Sequence, residues 1–456
     1  MGSGPVGSVI AIKLLTSLDE KAEVTLIDVA RDKVNLEFSN YWQNSLVKGR
    51  TMPNGFYQKI KEGRVDHPHL NLIGGYSNVW GATWQSPSKY GSSLIDAYSE
   101  LKPLLKKIEG QIENFHFSTN IKEGNLICDC MAPFLLRDSG ENPTFLNKSS
   151  LLLNELRIAS DSLEEAKVSF TPWNSKTAIT YLHSFSSFSL KYNTWVEKFV
   201  EKANCVVLHT SQGHLEFDFA IFACGPIETS KLLMRSLPNL NQVQLLDTQM
   251  TYSILIRRPS KNSQRNFGLS HIASELKMEG DSAVELHTQY YAHLYNNRDL
   301  VLQRIPRFLW KPTTLFLRIF DPFLVVAINY LSSSASGTIN VNRDENQQNR
   351  LKISLVQAGN HRREFAEIYK VFSRKIKKIG LLTTRWLVFH QAPGKSFHYG
   401  ASPSKISNEA GEVIGCSRSY ISGAICLPGI YPGPITTPAM SHGIMVANKI
   451  IKEIQR

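Results

Sequence analysis

Apolar positions in the first thirty residues change period once. From Ile10 to Leu18 they recur with helical spacing, and Glu23-Val24-Thr25-Leu26-Ile27-Asp28 then reads as a buried strand ending in an acid. Val29 to Leu70 is polar and irregular. Ser99 to Glu109 reads as a short amphipathic helix with Pro103 near its start. Residues 112–184 mix short strands with polar loops. Cys205–Thr210 and His214–Phe219 alternate around Ser211-Gln212-Gly213, a hairpin signal. Phe219–Ala223 is a buried strand that runs into Gly225, and Glu228–Ser236 follows as a helix. Further on, Gly337–Asn342 and Leu351–Val356 read as strands flanking the polar loop Asp344–Asn349. Arg362–Ile379 is a basic amphipathic helix, and Met440–Ile454 repeats apolar residues on one helical face. Neither an internal repeat nor a low-complexity segment is present.

Three glycine clusters punctuate this pattern. Gly2-Ser3-Gly4-Pro5-Val6-Gly7 opens the first helix. In such a turn the first glycine permits the sharp bend, the second lets the backbone approach a pyrophosphate, and the third lets the helix pack closely. Asp28, at the end of the next strand, stands where a carboxylate accepts hydrogen bonds from a ribose. Helix, strand and acid together favour dinucleotide binding over a ligand-free glycine turn. The fingerprint ordinarily follows a strand, yet only Met1 precedes it. The reading adopted is a true start upstream of Met1; the alternative is a genuine truncation. The second cluster, Gly74–Trp84, would let backbone amides reach a flat ring or phosphate, or else be a tight turn packed by two tryptophans. The third, Ala223–Leu233, is a strand ending at a glycine before a helix: a nucleotide-side turn, or an ordinary one.

Length and charge bound these readings. The 456 residues suffice for two domains, and 42% hydrophobic with 20% charged residues is ordinary for a soluble chain. The net charge of +12 is spread in short clusters, which argues for a solvated basic surface and against nucleic-acid binding. Leu315–Leu331 is the longest apolar stretch, but Arg318, Asp321 and Pro322 interrupt it. It reads as core helix or strand, with contact to a membrane face the minor reading. The N-terminus lacks the basic-then-apolar run of a signal peptide. Cysteines at 128, 130, 205, 224, 416 and 426 complete neither a metal site nor a disulfide framework, which suits the cytoplasm.

In their order along the chain, the three clusters resemble the glucose-methanol-choline (GMC) oxidoreductase family of flavoproteins. Ser396-Phe397-His398-Tyr399-Gly400-Ala401-Ser402 is similar to its active-site histidine segment. Ser422–Pro428 with Gly433-Pro434-Ile435-Thr436-Thr437 is similar to the segment passing under the flavin. About half the chain, between the motifs, carries no specific match. The resemblance implies FAD held noncovalently, because Val79 stands where some relatives attach the flavin through a histidine. It implies that Gly2, Gly4 and Gly7 hold the pyrophosphate and Asp28 the ribose. Gly74, Gly75, Asn78 and Gly81 would lie along the flavin. Val196 would meet the adenine region, and Ala223, Cys224, Gly225 and Glu228 the adenosine side. Gly423, Ala424, Pro434 and Thr437 would lie near the pyrophosphate and ring. His398 is implied as the catalytic base, with His390 and His442 as weaker candidates. The chain departs from the family at Gly433, where a second active-site His or Asn is usual, and at Gly423, where an Asp is common.

The expected architecture is α/β: a Rossmann-like FAD-binding domain with its first strand apparently missing, and a mixed α+β substrate domain with an antiparallel sheet. The FAD-binding domain would comprise 1–110, 185–240 and 396–456, and the substrate-binding domain 111–184 and 241–395. The expected activity is oxidation of a CH–OH group of a small alcohol, polyol or sugar, with electrons passed to an unidentified acceptor. The alternatives are a degenerate FAD-binding member without turnover and a flavoprotein reductase using another electron partner.

Overall fold

A computed structural model describes residues 1–18, 22–30, 57–62, 65–70, 74–75, 83–84, 87–109, 116–118, 149–155, 157–160, 175–256, 272–278, 284–292, 306–320, 323–344, 347–356, 361–378, 381–391, 394, 398–402 and 406–456. The chain begins with α1 (Pro5–Leu18), β1 (Val24–Ile27), the strands β2 (Tyr57–Glu62) and β3 (Val65–Leu70), α2 (Ser92–Glu109), β4 (Ser149–Glu155) and α3 (Ser175–Leu182). Then come β5 (Phe188–Lys191), β6 (Val196–Glu201), β7 (Val206–Thr210), β8 (Gly213–Phe217), β9 (Ala220–Phe222) and α4 (Pro226–Ser236). Next are β10 (Gln242–Asp247), β11 (Met250–Ile256), β12 (Ile272–Met278), β13 (Glu285–Ala292), α5 (Trp310–Phe320) and β14 (Leu324–Leu331). The chain ends with β15 (Thr338–Asp344), β16 (Gln347–Val356), α6 (His361–Lys378), β17 (Leu382–His390), β18 (Tyr399–Gly400), β19 (Ser419–Ile421) and α7 (Thr436–Ile454).

The result is a mixed α/β chain of several sheets. β1 pairs in parallel with β5, and β9 in parallel with β19. Between β1 and β9 lie Met1 and Gly2. The Gly2 amide donates to the Ile27 carbonyl (2.9 Å), the Met1 ammonium donates to Ile221 (2.6 Å), and the Ala223 amide donates to Met1 (3.0 Å). Two residues thus hydrogen-bond to the strands on either side.

α1 is apolar on both sides, and such a helix must be enclosed. Val9, Ile12 and Leu15 pack with Leu101 and Leu105 of α2, Ile179 of α3 and Ile444 of α7. Ile10, Leu14 and Leu18 pack with Tyr420, Val446 and Ile450. α3, although it ends the 111–184 segment, therefore belongs to the core around α1. Glycine lets α7 cross α1 closely: a methyl on Gly443 would sit 3.2 Å from both Val6 and Ile10 side chains.

A six-stranded antiparallel sheet, in the order β17-β11-β14-β13-β12-β4, forms the second large body of structure. α6 covers one face with Phe365, Ile368, Tyr369, Phe372 and Ile376, an i, i+3, i+4, i+7, i+11 stripe. Each such side chain stabilises the fold by about 2 kcal/mol on burial. A four-stranded sheet, β16-β15-β10-β18, links this body to the segment holding His398.

Several elements differ from the sequence reading. β2 and β3 form a hairpin inside the stretch read as irregular, hidden because each strand carries mostly polar residues and Pro68. α2 starts at Ser92, not Ser99, so Pro103 lies mid-helix rather than at the first turn. The polar stretch Asp344–Asn349 is mostly strand, with only 345–346 between β15 and β16. Leu315–Leu331 is not one core element: it splits into α5 and β14, and α5 exposes most of its apolar side chains. Among the described residues, no helix is long and apolar enough to cross a membrane.

Candidate functional site

The site assembles around the turn into α1. A methyl on Gly7 would lie 1.9 Å from the Gly2 carbonyl oxygen, and one on Gly2 (φ +89°) 2.5 Å from the Ala223 carbonyl oxygen. Both positions accept only glycine. Gly4 differs: among the described residues no atom lies within 4 Å of a methyl placed there. Its backbone faces open space, bordered by Gly75, whose own methyl position is 3.8 Å from the Gly4 Cα. The Gly74 amide donates to Ser3 Oγ (2.9 Å), which fastens the second glycine cluster to the first. Asn78 and Gly81 lie outside the described residues, as does Val79.

Asp28 sits at the end of β1, as its place in the sequence implies. Its Oδ2 accepts from the Ser3 amide (2.6 Å) and its Oδ1 from the Ala30 amide (2.8 Å). The carboxylate therefore braces the glycine turn itself. Beside it, Ala223, Cys224 and Gly225 lead from β9 into α4. Burial pushes the Cys224 thiol up to about 11, so it stays protonated and is no nucleophile. The Glu228 carboxylate accepts from the buried Lys231 ammonium (2.9 Å) in the first turn of α4. Val196 begins β6, buried opposite Thr210 of β7.

From the glycine turn a line of close contacts leads to His398. A methyl on Gly423 (φ +103°) would touch Val6 of α1 at 3.4 Å. Next to it, the Ala424 carbonyl accepts from the Ala401 amide (2.6 Å) and would lie 2.3 Å from a methyl on Gly400. Ala401 has φ +42°, a left-handed backbone that costs an alanine about 1 kcal/mol and is held here by those hydrogen bonds. Just upstream, the Thr248 amide donates to the His398 carbonyl (3.1 Å), and the buried Asp247 carboxylate accepts from the Gly394 amide (2.8 Å). Pro434 and Thr437 lie at the start of α7, whose first turn holds no acid and whose N-cap, Ile435, offers no side-chain hydrogen bond.

The His398 ring stacks on Tyr330 with centroids 4.8 Å apart and planes at 22°. Tyr330 of β14 is directly opposite His287 of β13, ring to ring at 6.3 Å. Alternation along β13 places His287 and Gln289 on the face opposite Leu286 and Tyr290, which point to α6. Burial lowers His398 to about 4, and the neighbouring His287 pushes it the same way. His398 is thus a neutral imidazole, able to accept a proton, at any pH well above 4. Sequence reasoning missed His287, Tyr330 and Gln289, because a lone histidine in a strand has no spacing signature.

The other histidines lie elsewhere. His390 is exposed at the end of β17, edge-on to Phe365, with Nδ1 3.4 Å from Thr251 Oγ1. His442 is buried in α7, its Nδ1 3.2 Å from Ser422 Oγ. The two departures at glycine are built into the backbone: Gly423 and Gly433 (φ +115°) both occupy conformations that an Asp, Asn or His adopts only under strain. Among the described residues, no group of three or more His, Cys, Asp or Glu side chains is placed to hold a metal ion.

No protein-family model matches the chain, and neither does any curated protein sequence. Among solved structures, pyridoxine 4-oxidase from Mesorbium loti superimposes with a TM-score of 0.62 at 13% identity, over 98% of this chain and 97% of that one. At that identity the likeness speaks for the fold.

Proposed function

We propose that the chain is a flavoprotein oxidoreductase of the GMC type, binding FAD noncovalently and oxidising a CH–OH group of a small polar alcohol or sugar. The observation that carries this reading is the contact line from the glycine turn through Gly423 and Ala424 to His398. It connects the open backbone at Gly4 with a neutral, partly buried histidine through a chain of backbone contacts. The residues fit the cofactor. Gly4 leaves its backbone open beside the N-terminus of α1, where a dianion is stabilised by the helix dipole. Gly74 and Gly75 border that opening, and Ala223, Gly225 and Val196 would hold the adenosine end. The acid-free start of α7 would face the negative charge of a reduced ring.

When bound, the flavin supplies the acceptor for the hydride. His398 takes the proton of the substrate hydroxyl, and burial keeps it neutral for that task. Tyr330 fixes the plane of the imidazole. His287 stands in for the partner that Gly433 does not provide, and with Gln289 it offers polar groups to a hydroxylated substrate. The fold shared with an oxidase supports the same reading. By this reading β1, β5, β9 and β19, with Met1–Gly2 between the pairs, form one Rossmann-like sheet.

The test is an absorbance spectrum followed by anaerobic titration with alcohols and sugars. The expected result is a bound yellow flavin that a member of the panel bleaches. His398→Ala retains the flavin and slows bleaching by about a hundredfold or more. Bleaching by NADPH and by no alcohol favours a reductase, and a colourless protein that takes up no FAD overturns flavin binding altogether.

A further inference from the structure

α5 holds an apolar surface that the fold leaves bare. Of its large side chains only Leu317 is buried, against Leu324, Ile254 and Val326. Leu315 is 59% exposed, Phe316 47% and Ile319 56%, and Phe308 just before the helix is 79% exposed. Phe320 and Phe323 are exposed as well, with Phe316 and Phe320 in ring contact at 4.6 Å. At 100° per residue, Leu315, Ile319, Phe316 and Phe320 fall within an arc of roughly 140°. Single exposed apolar residues are ordinary, but a contiguous aromatic and aliphatic stripe marks a surface that is covered in use.

Charge says what covers it. Residues 306–320 contain three basic side chains, Arg307, Lys311 and Arg318, and no acid. All three are exposed, and Lys311 and Arg318 fall on the side of the apolar arc away from buried Leu317. The Arg307 guanidinium lies 6.0 Å from the Trp310 ring centre, pairing a cation with an aromatic ring of the type that settles at headgroup depth. A two-fold copy of this face would bring the like charges of Arg307, Lys311 and Arg318 together. At eleven residues the helix is about 16 Å long, too short to cross a bilayer and suited to lying along its surface.

We propose that α5, with Phe308 and Phe323, docks the protein on an anionic lipid surface, its apolar arc sunk among the acyl chains and its basic edge among the headgroups. Purified full-length protein is sedimented with phosphatidylcholine vesicles, with and without one third phosphatidylglycerol, at low and high salt. The protein pellets with the anionic vesicles, and salt weakens this. Phe316→Glu/Ile319→Glu lowers partitioning at least about tenfold with an unchanged melting temperature, since both side chains already face solvent. Lys311→Gln/Arg318→Gln lowers partitioning to anionic vesicles by about fivefold per charge and leaves binding to neutral vesicles unchanged. Failure of the wild type to pellet at low salt, or equal pelleting by the Phe316→Glu/Ile319→Glu variant, overturns the proposal. So does a dimer that this variant makes monomeric without any vesicle binding, which assigns the face to a second copy. Pelleting requires neither flavin nor turnover, so its outcome stands apart from the proposed activity.

Discussion

Gly4 and Gly7 are three residues apart, yet a methyl group means something different at each. At Gly7 it meets the Gly2 carbonyl at 1.9 Å, so the turn must open. Gly7→Ala is expected to cost about 2 kcal/mol or more in chemical unfolding, and the flavin with it. At Gly4 a methyl meets nothing within 4 Å among the described residues. Gly4→Ala should therefore unfold at the same denaturant concentration as the wild-type apoprotein while losing at least about tenfold in FAD affinity, through crowding of the pyrophosphate. Equal FAD affinity in Gly4→Ala would place the phosphates elsewhere. Gly2 and Gly7 were legible from spacing alone, because each answers a local steric demand. His287 was not, because its importance comes from Tyr330 opposite and His398 above, neighbours supplied by strands distant in sequence.

At the scale of elements, legibility followed periodicity. α1, α6 and α7 lie where their apolar spacing puts them, and β7–β8 turns where Ser211-Gln212-Gly213 says it should. The β2–β3 hairpin escaped because its strands are polar on both faces. α5 was misjudged because helical spacing reports an apolar face but not what lies against it. The β13–β14 register has a consequence for catalysis. His287 helps hold His398 down near 4, so the rate of flavin reduction should stay flat above about pH 5 and fall only as pH drops towards 4. His287→Gln keeps the volume and removes the ionisable neighbour. Its acid limb should move upward, towards the ordinary histidine range, in stopped-flow reduction against pH. An unmoved limb would show that His287 has no electrostatic hold on His398.

The whole molecule should lose stability in acid for a reason visible in its core. The chain is already at +12 at neutral pH, so every proton added below 7 adds to self-repulsion. His442 adds a specific contribution. It is buried where α7 crosses the strand β19 and the segment after it, and burial lowers it from 6.5 to about 4, partly opposed by the Glu409 backbone. A histidine with a depressed folded value binds its proton more readily when unfolded. Its contribution is fully present above about pH 6.5 and is lost as pH falls towards 4. From those two values, acidification from pH 7 to 4.5 removes roughly 2–3 kcal/mol through this residue alone. His442→Gln should be less stable at pH 7, because packing and the contact with Ser422 suffer. Its further loss between pH 7 and 4.5 should nevertheless be smaller than that of the wild type by that amount. Guanidinium unfolding of both proteins at the two pH values measures the difference directly, and an equal loss in both would mean that the folded core protonates His442 as readily as the unfolded chain does.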